Sequence, residues 1–251
     1  RELAIQIGES IEAYGQYLSL RTIVIYGGVS QKHQTDALRA GVDILVATPG
    51  RLLDLIGQGY VNIQNVEMFV LDEADRMLDM GMVQDVKKII AQMPKVRQNM
   101  LFSATMPQGV SQLVSSILTD PVKIDVKPSP SNAKTVKQAV YFVDEKDKTA
   151  LLIHLLKNKD IVSALVFTRT KRRADKVTKA LEKRGIKAQA IHGDKSQLAR
   201  QSALNGFKNR EFRVLVATDV AARGIDVEEL SHVINFDIPN IPETYIHQIG
   251  R

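Results

Sequence analysis

Short apolar runs of four or five residues alternate along this chain with stretches whose apolar positions recur every three or four residues. The first pattern predicts strands of a parallel sheet, and the second predicts amphipathic helices packed against it. Residues 22–26, 43–47, 68–71, 99–102 and 122–126 read as strands, with helical periodicity over 31–39, 83–93 and 109–118 between them. The alternation stops at Lys127-Pro128-Ser129-Pro130-Ser131-Asn132-Ala133-Lys134, a polar segment with two prolines and no hydrophobic period. Such a segment reads as a linker. Beyond it, strands are predicted at 137–143, 163–167, 187–191, 213–217 and 232–236, and helices at 146–156, 171–183 and 197–207. The predicted fold class is α/β, with two tandem domains at 1–126 and 135–251. A closed barrel of eight strand–helix units would leave no place for the linker.

Ligands of parallel sheets bind beyond the carboxyl ends of the strands. At one such end, Met68-Phe69-Val70-Leu71 runs directly into Asp72-Glu73-Ala74-Asp75. Two adjacent carboxylates there match the needs of a nucleotide hydrolase, one holding Mg²⁺ against phosphate and the other activating water. The same four residues would also serve as an acidic turn that caps the next helix, so the motif needs its context.

Other strand ends carry further candidates. Thr48 precedes a helical pattern with Pro49 in its first turn, an N-cap signature whose free N–H groups suit a phosphate. Arg51 adds a guanidinium to that helix start. Thr170 before Lys171, and Gln197 with Arg200, offer similar chemistry in the second half, and Thr218 ends an apolar run. Each alone is an ordinary capping feature. Gly27-Gly28 ends a strand, where glycine permits positive φ and close backbone approach. Ser103-Ala104-Thr105 is, by itself, an ordinary turn. In the basic cluster 169–173, Arg169 and Lys171 are the expected nucleic-acid neighbours, the rest being assigned to a solvated helix face.

Composition narrows the setting. With 251 residues and 44% hydrophobic content, the chain can bury one large core or two ordinary ones. No apolar run approaches the length of a membrane span, and the absence of cysteine excludes disulfides and thiolate metal sites. These features fit a cytoplasmic protein. Residues 1–126 hold 11 Lys and Arg against 14 Asp and Glu, net −3, whereas 127–251 hold 23 against 14, net +9. A surplus confined to one half points to a polyanion partner for that half.

Taken in order, these motifs resemble the DEAD-box RNA helicases of superfamily 2, and the resemblance covers essentially the whole chain. It implies two RecA-like domains, the first one incomplete, and an ATP hydrolase that uses ATP and Mg²⁺ to unwind short RNA duplexes or remodel RNA–protein complexes. By resemblance Asp72 and Glu73 are the Mg²⁺ and water-activating residues. Asp75, Ser103, Thr105 and His247 couple hydrolysis to strand separation. Gly224 and Asp226 contact the nucleotide, and Arg251 is the arginine finger. Arg1, Gly28, Thr48, Arg51, Thr170, Gln197, Arg200 and Thr218 contact RNA, mainly at phosphates and 2′-hydroxyls. Low aromatic content, 5% with no Trp, agrees with sparse base stacking. The expected partners are RNA without sequence preference and ribonucleoprotein or RNA-decay proteins; the expected state is a monomer away from membranes. Met77-Leu78-Asp79-Met80-Gly81 is similar to the bacterial RhlE-like subgroup.

Two departures from the family pattern stand out. No Gly-x-x-x-x-Gly-Lys-Ser/Thr loop occurs, and the last motif stops at Arg251. The chain opens Arg1-Glu2-Leu3-Ala4 without Met and reads as an internal segment of a longer helicase, expected to show little ATPase activity by itself. Gln248 stands where the family often has Arg. A helicase remnant that only binds RNA, or a DNA translocase of the same superfamily, is the competing reading.

Overall fold

The computed structural model describes residues 1–126, 136–219 and 230–250. The expected linker at 127–134, Gly224, Asp226 and Arg251 therefore lie outside the described residues. The chain folds as two compact units, Leu3–Asp125 and Val126–Arg251.

The first unit runs α1 (Glu2–Tyr14), β1 (Thr22–Ile25), α2 (Lys32–Ala40), β2 (Ile44–Ala47), α3 (Pro49–Gly57), β3 (Met68–Leu71), α4 (Ala74–Asp79), α5 (Val83–Ile90), β4 (Gln98–Leu101) and α6 (Gln108–Ile117). Its strands pair in parallel as β1 with β2 and β3 with β4. One apolar cluster gathers Ile25, Leu52, Leu55 and Ile89; another gathers Leu71, Ala74, Val86, Val110 and Leu113. Parallel pairing forces each crossover through a helix, and these helices supply most of both clusters.

The second unit runs α7 (Lys148–Leu155), β5 (Ala164–Thr168), α8 (Lys171–Glu182), β6 (Ala188–Ile191), α9 (Gln197–Lys208), β7 (Val214–Thr218), β8 (His232–Asn235) and α10 (Pro242–Ile249). Its sheet is parallel in the order β6-β7-β5-β8. Every residue of β5 and β7 is buried. Successive strand side chains point to opposite faces, and the core divides accordingly. Ala164, Val166, Val214 and Val216 meet Leu152, Leu156, Ala174, Val177 and Leu181 on one side. Leu165, Phe167, Leu215 and Ala217 meet Ala203, Leu204 and Phe207 on the other.

Three strand expectations are corrected. Residues 122–126 form no strand, and Val122, Ile124 and Val126 are exposed. Residues 137–143 form none either, and Phe142 is 99% exposed. β-propensity reflects packing against neighbouring strands, and among the described residues neither segment has a ladder partner to supply it. β3 exists but is half-buried: Phe69 and Leu71 enter the core, while Met68 and Val70 are 63% and 50% exposed. Among the described residues no helix is long and apolar enough to cross a membrane.

Candidate nucleotide and nucleic-acid site

The acidic motif sits at the carboxyl end of β3. Asp72 Oδ1 accepts the Glu73 amide at 2.8 Å. Glu73 caps α4 with φ of 51°, a left-handed conformation that costs a non-glycine residue roughly 1–3 kcal/mol. Its carboxylate is held by Arg76 Nη1 at 3.0 and 3.1 Å. Backbone strain of this kind concentrates at functional sites, where the surroundings over-determine it.

Asp75, the last member, turns inward and is buried. Its Oδ2 accepts the amide and the hydroxyl of Thr105, each at 2.8 Å, while its own amide donates to Ser103 Oγ at 3.1 Å. Ser103 Oγ in turn donates to the Thr105 carbonyl at 2.7 Å. Because β3 and β4 are paired, the ends of both strands arrive side by side, and the Ala74 amide donates to the Phe102 carbonyl. Burial alone would push the Asp75 carboxyl up. The hydrogen bonds from Thr105, with those of the Arg76 amide and Ser103, outweigh it and hold the pKa below the usual value.

At the end of β1, Gln34 brackets the backbone of Tyr26, accepting its amide at 3.3 Å and donating to its carbonyl at 3.1 Å. Arg51 donates to Gln34 Oε1 at 3.3 Å and to the Val29 carbonyl at 3.1 Å. This clamp fixes the loop carrying Gly27 and Gly28, of which Gly28 takes the positive φ of 88° and Gly27 has open space where a Cβ would stand. Thr48 occupies the N-cap of α3 with Pro49 behind it, but its hydroxyl makes no capping hydrogen bond. The helix start is set by backbone and proline alone. Arg1 lies at the N-cap of α1, exposed.

In the second unit, Thr170 caps α8 through its side chain, which accepts the Arg173 amide at 3.2 Å. Ser196, rather than Gln197, caps α9, accepting the Ala199 amide at 3.2 Å, so Gln197 and Arg200 lie in the first turn of that helix, with Gln197 buried. Thr218 ends β7 and is buried. His247 lies in the last turn of α10. Gln248 on the same helix is buried and donates to Asp219, the residue after Thr218.

A pocket of about 190 Å³ opens at the carboxyl ends of β5 and β8, lined by Thr168, Arg169, Asp219, Asp237, Ile238, Pro239, Asn240, Ile241 and Thr244. Asp237 organises its base, accepting the Arg169 amide at 2.9 Å and pairing with Arg173 at 2.6 Å and Lys148 at 3.2 Å. Burial would raise the Asp237 carboxyl; the Arg169 amide, Arg173 and Lys148 more than reverse that and lower it. The Arg169 guanidinium itself donates to the Ile238 carbonyl and to Asn240.

The structure therefore brings together Asp75, Ser103 and Thr105, and places Asp72 and Glu73 beside them. Gln34, Arg76, Asp237 and Lys148 were not anticipated as parts of the site. Each acts through space on a residue far along the chain or a turn away, and no local pattern marks such partners. Ser196 was legible, since a serine directly before a helical period is a standard N-cap signal.

Mg²⁺ takes only one or two carboxylates and keeps several waters. Asp72 fits that demand: it follows the last residue of β3, and one of its carboxylate oxygens takes a backbone amide. Glu73 is already engaged by Arg76. Among the described residues no three His, Asp or Glu side chains cluster as a self-sufficient metal cage.

Two parallel α/β units with these motifs at their carboxyl ends define a tandem RecA-like helicase fold. Residues 1–113 match the DEAD/DEAH box helicase model and residues 147–251 the helicase conserved C-terminal domain. Over its full length the chain is 45% identical to the DEAD-box ATP-dependent RNA helicase CshA of Bacillus cereus and 43% identical to that of Bacillus subtilis, covering 48% and 51% of those proteins. It thus spans about half the length of the curated relatives it matches. Among solved structures, a DEAD box protein from the hyperthermophile Methanococcus jannaschii is 43% identical with a TM-score of 0.50, this chain covering 67% of it. Dbp5 of S. cerevisiae, bound to RNA and ADP BeF3, is 30% identical with a TM-score of 0.85 and 65% covered. In each comparison all of the present chain is matched. The chain belongs to the DEAD-box helicase family.

Proposed function

We propose that this chain serves an ATP-dependent RNA helicase, one that separates short duplexes or remodels RNA–protein complexes as ATP closes its two domains on single-stranded RNA. The observation that carries this reading is the link between Asp72-Glu73-Ala74-Asp75 at the end of β3 and Ser103-Ala104-Thr105 at the end of β4, made through the buried Asp75. Asp72 is the residue suited to hold Mg²⁺, which when bound neutralises phosphate charge and orients the nucleotide. Glu73 orients the attacking water and takes its proton. Asp75 transmits any shift of this turn to Ser103 and Thr105. Arg51, Gly28, Thr48 and Thr170 stand at strand and helix ends where they contact the RNA backbone.

The relatives support RNA as the ligand, because those named are RNA helicases and one was solved with RNA and a nucleotide analogue. Within the family we place the chain among bacterial members; Met77-Leu78-Asp79-Met80-Gly81 favours an RhlE-like one, beside relatives that carry the name CshA. A cytoplasmic monomer meeting ribonucleoprotein or RNA-decay partners is the setting this implies.

The test is ATP hydrolysis with and without single-stranded RNA, on the protein at the full length of its relatives. RNA should stimulate turnover, and Glu73→Gln should abolish it while RNA binding persists. Unchanged turnover in Glu73→Gln removes that residue from its role; stimulation by DNA but not RNA overturns the substrate.

A further inference from the structure

Residues 171–187, α8 and the turn that follows it, hold eight Lys and Arg against two Asp and Glu. Several of these cations are accounted for. Lys171 pairs with Asp194 at 2.6 Å and Arg173 with Asp237, while Asp175 is taken by Lys195 at 2.9 Å. What remains is ordered. Ala174, Val177, Thr178 and Leu181 bury one face of the helix. On the outer face Arg172, Lys176, Lys179 and Lys183 are exposed at spacings of four, three and four residues, so that one cation appears at every turn. The row is about 16 Å long. Exposed Arg184 and Lys187 extend it past Gly185. Among the described residues none of these six has an acidic partner within ion-pair distance.

This arrangement works against the helix that bears it. Like charges three or four residues apart destabilise a helix, and the row contains three such pairs. Its first turn holds no acid, and its three leading residues are cations at the end where the helix dipole is positive. Asp175 and Glu182 offset part of this repulsion, and the excess of like charge that remains on one helix face marks a surface shaped for a partner. The partner's chemistry follows from what is absent among the exposed residues of α8, all of which are charged. A helix lying on a membrane needs an apolar face, and a protein interface needs apolar or aromatic anchors. A sugar–phosphate backbone needs only cations.

We propose that the outer face of α8 is a second phosphate-binding surface, which takes the RNA strand onward from Thr170. α8 starts at the carboxyl end of β5, beside Thr170, and runs back toward the amino end of the sheet before β6. A strand contacting Thr170 thus meets Arg172 next, then Lys176, Lys179 and Lys183 in turn. The surface lengthens the RNA footprint without adding base specificity. The inference rests on RNA being the ligand of the motif residues.

The test substitutes Lys176, Lys179, Lys183 and Arg184 together by Gln in this chain and measures affinity for two uridine oligonucleotides across a salt series. One is short enough for the motif residues alone, and the other is several times longer. The variant should bind the long oligonucleotide about tenfold more weakly, with the slope of log K against log salt reduced by roughly 0.7 for each phosphate that is no longer neutralised. It should bind the short one unchanged and melt at a higher temperature, because the repulsion along α8 is gone. Lys176→Arg, Lys179→Arg and Lys183→Arg together should keep the long-RNA affinity. Unchanged long-RNA affinity and slope in the Gln variant overturn the surface, as does a loss confined to anionic lipid vesicles. If the unsubstituted chain binds the short oligonucleotide but gains nothing from the longer one, the α8 surface alone fails. If it binds neither, the RNA reading fails and the surface with it.

Discussion

Asp75 and Thr105, thirty positions apart, are joined twice: one carboxylate oxygen takes both the amide and the hydroxyl of the threonine at 2.8 Å. Hydrogen bonds to a buried charge are among the stronger single contributions, about 1.5–3 kcal/mol. Thr105→Val preserves shape and removes the hydroxyl, leaving the amide as the remaining Thr105 donor. The urea midpoint of the first unit should fall by an amount equivalent to that range, with an unchanged m-value. A midpoint within error of the parent would show that the Thr105 and Arg76 amides satisfy Asp75 without it.

Asp237 gives the second unit a defined response to acid. Its carboxyl lies below the ordinary 3.8 in the folded state, so it releases its proton more readily when folded than when unfolded. The resulting stability is complete well above pH 3.8 and drains away as pH falls through that value toward the depressed folded one. Asp237→Asn should therefore destabilise the unit at pH 7, and the gap between variant and parent should narrow below about pH 4. Denaturant melts across that interval check it; a gap that stays constant would assign the loss to packing.

The neighbouring glycines at the end of β1 should respond oppositely to the same change. Gly28→Ala places a Cβ on a residue with φ of 88° and should cost about 1 kcal/mol. Gly27→Ala meets no atom within 4 Å and should be neutral or slightly stabilising. Thermal melts of the two variants, compared side by side, decide the matter.

Legibility in the sequence followed the range of the interaction. β5 and β7 were visible because burial on both faces leaves an unbroken apolar run, and α8 because its buried face repeats at helical spacing. Residues 122–126 and 137–143 carry similar β-branched and aromatic content, yet have no neighbour to pair with, and composition does not encode the neighbour. In the site, Asp72 through Asp75 and Ser103 through Thr105 were legible as short strings at strand ends. The supports were not. Gln34 reaches Tyr26 and Arg51 by folding across a turn, and Asp237 is assembled with Lys148 and Arg173 from three separate elements. Such partners share a place in space and nothing in the string of letters. Thr48 shows the reverse error, since its N-cap position was correct but its hydroxyl is left out of the cap.

Glu73 is caught between two demands. Its left-handed backbone would be met most comfortably by glycine or asparagine, and neither of those can carry a proton away. On the role proposed for Glu73, the turn into α4 keeps a reactive carboxylate at the expense of backbone comfort.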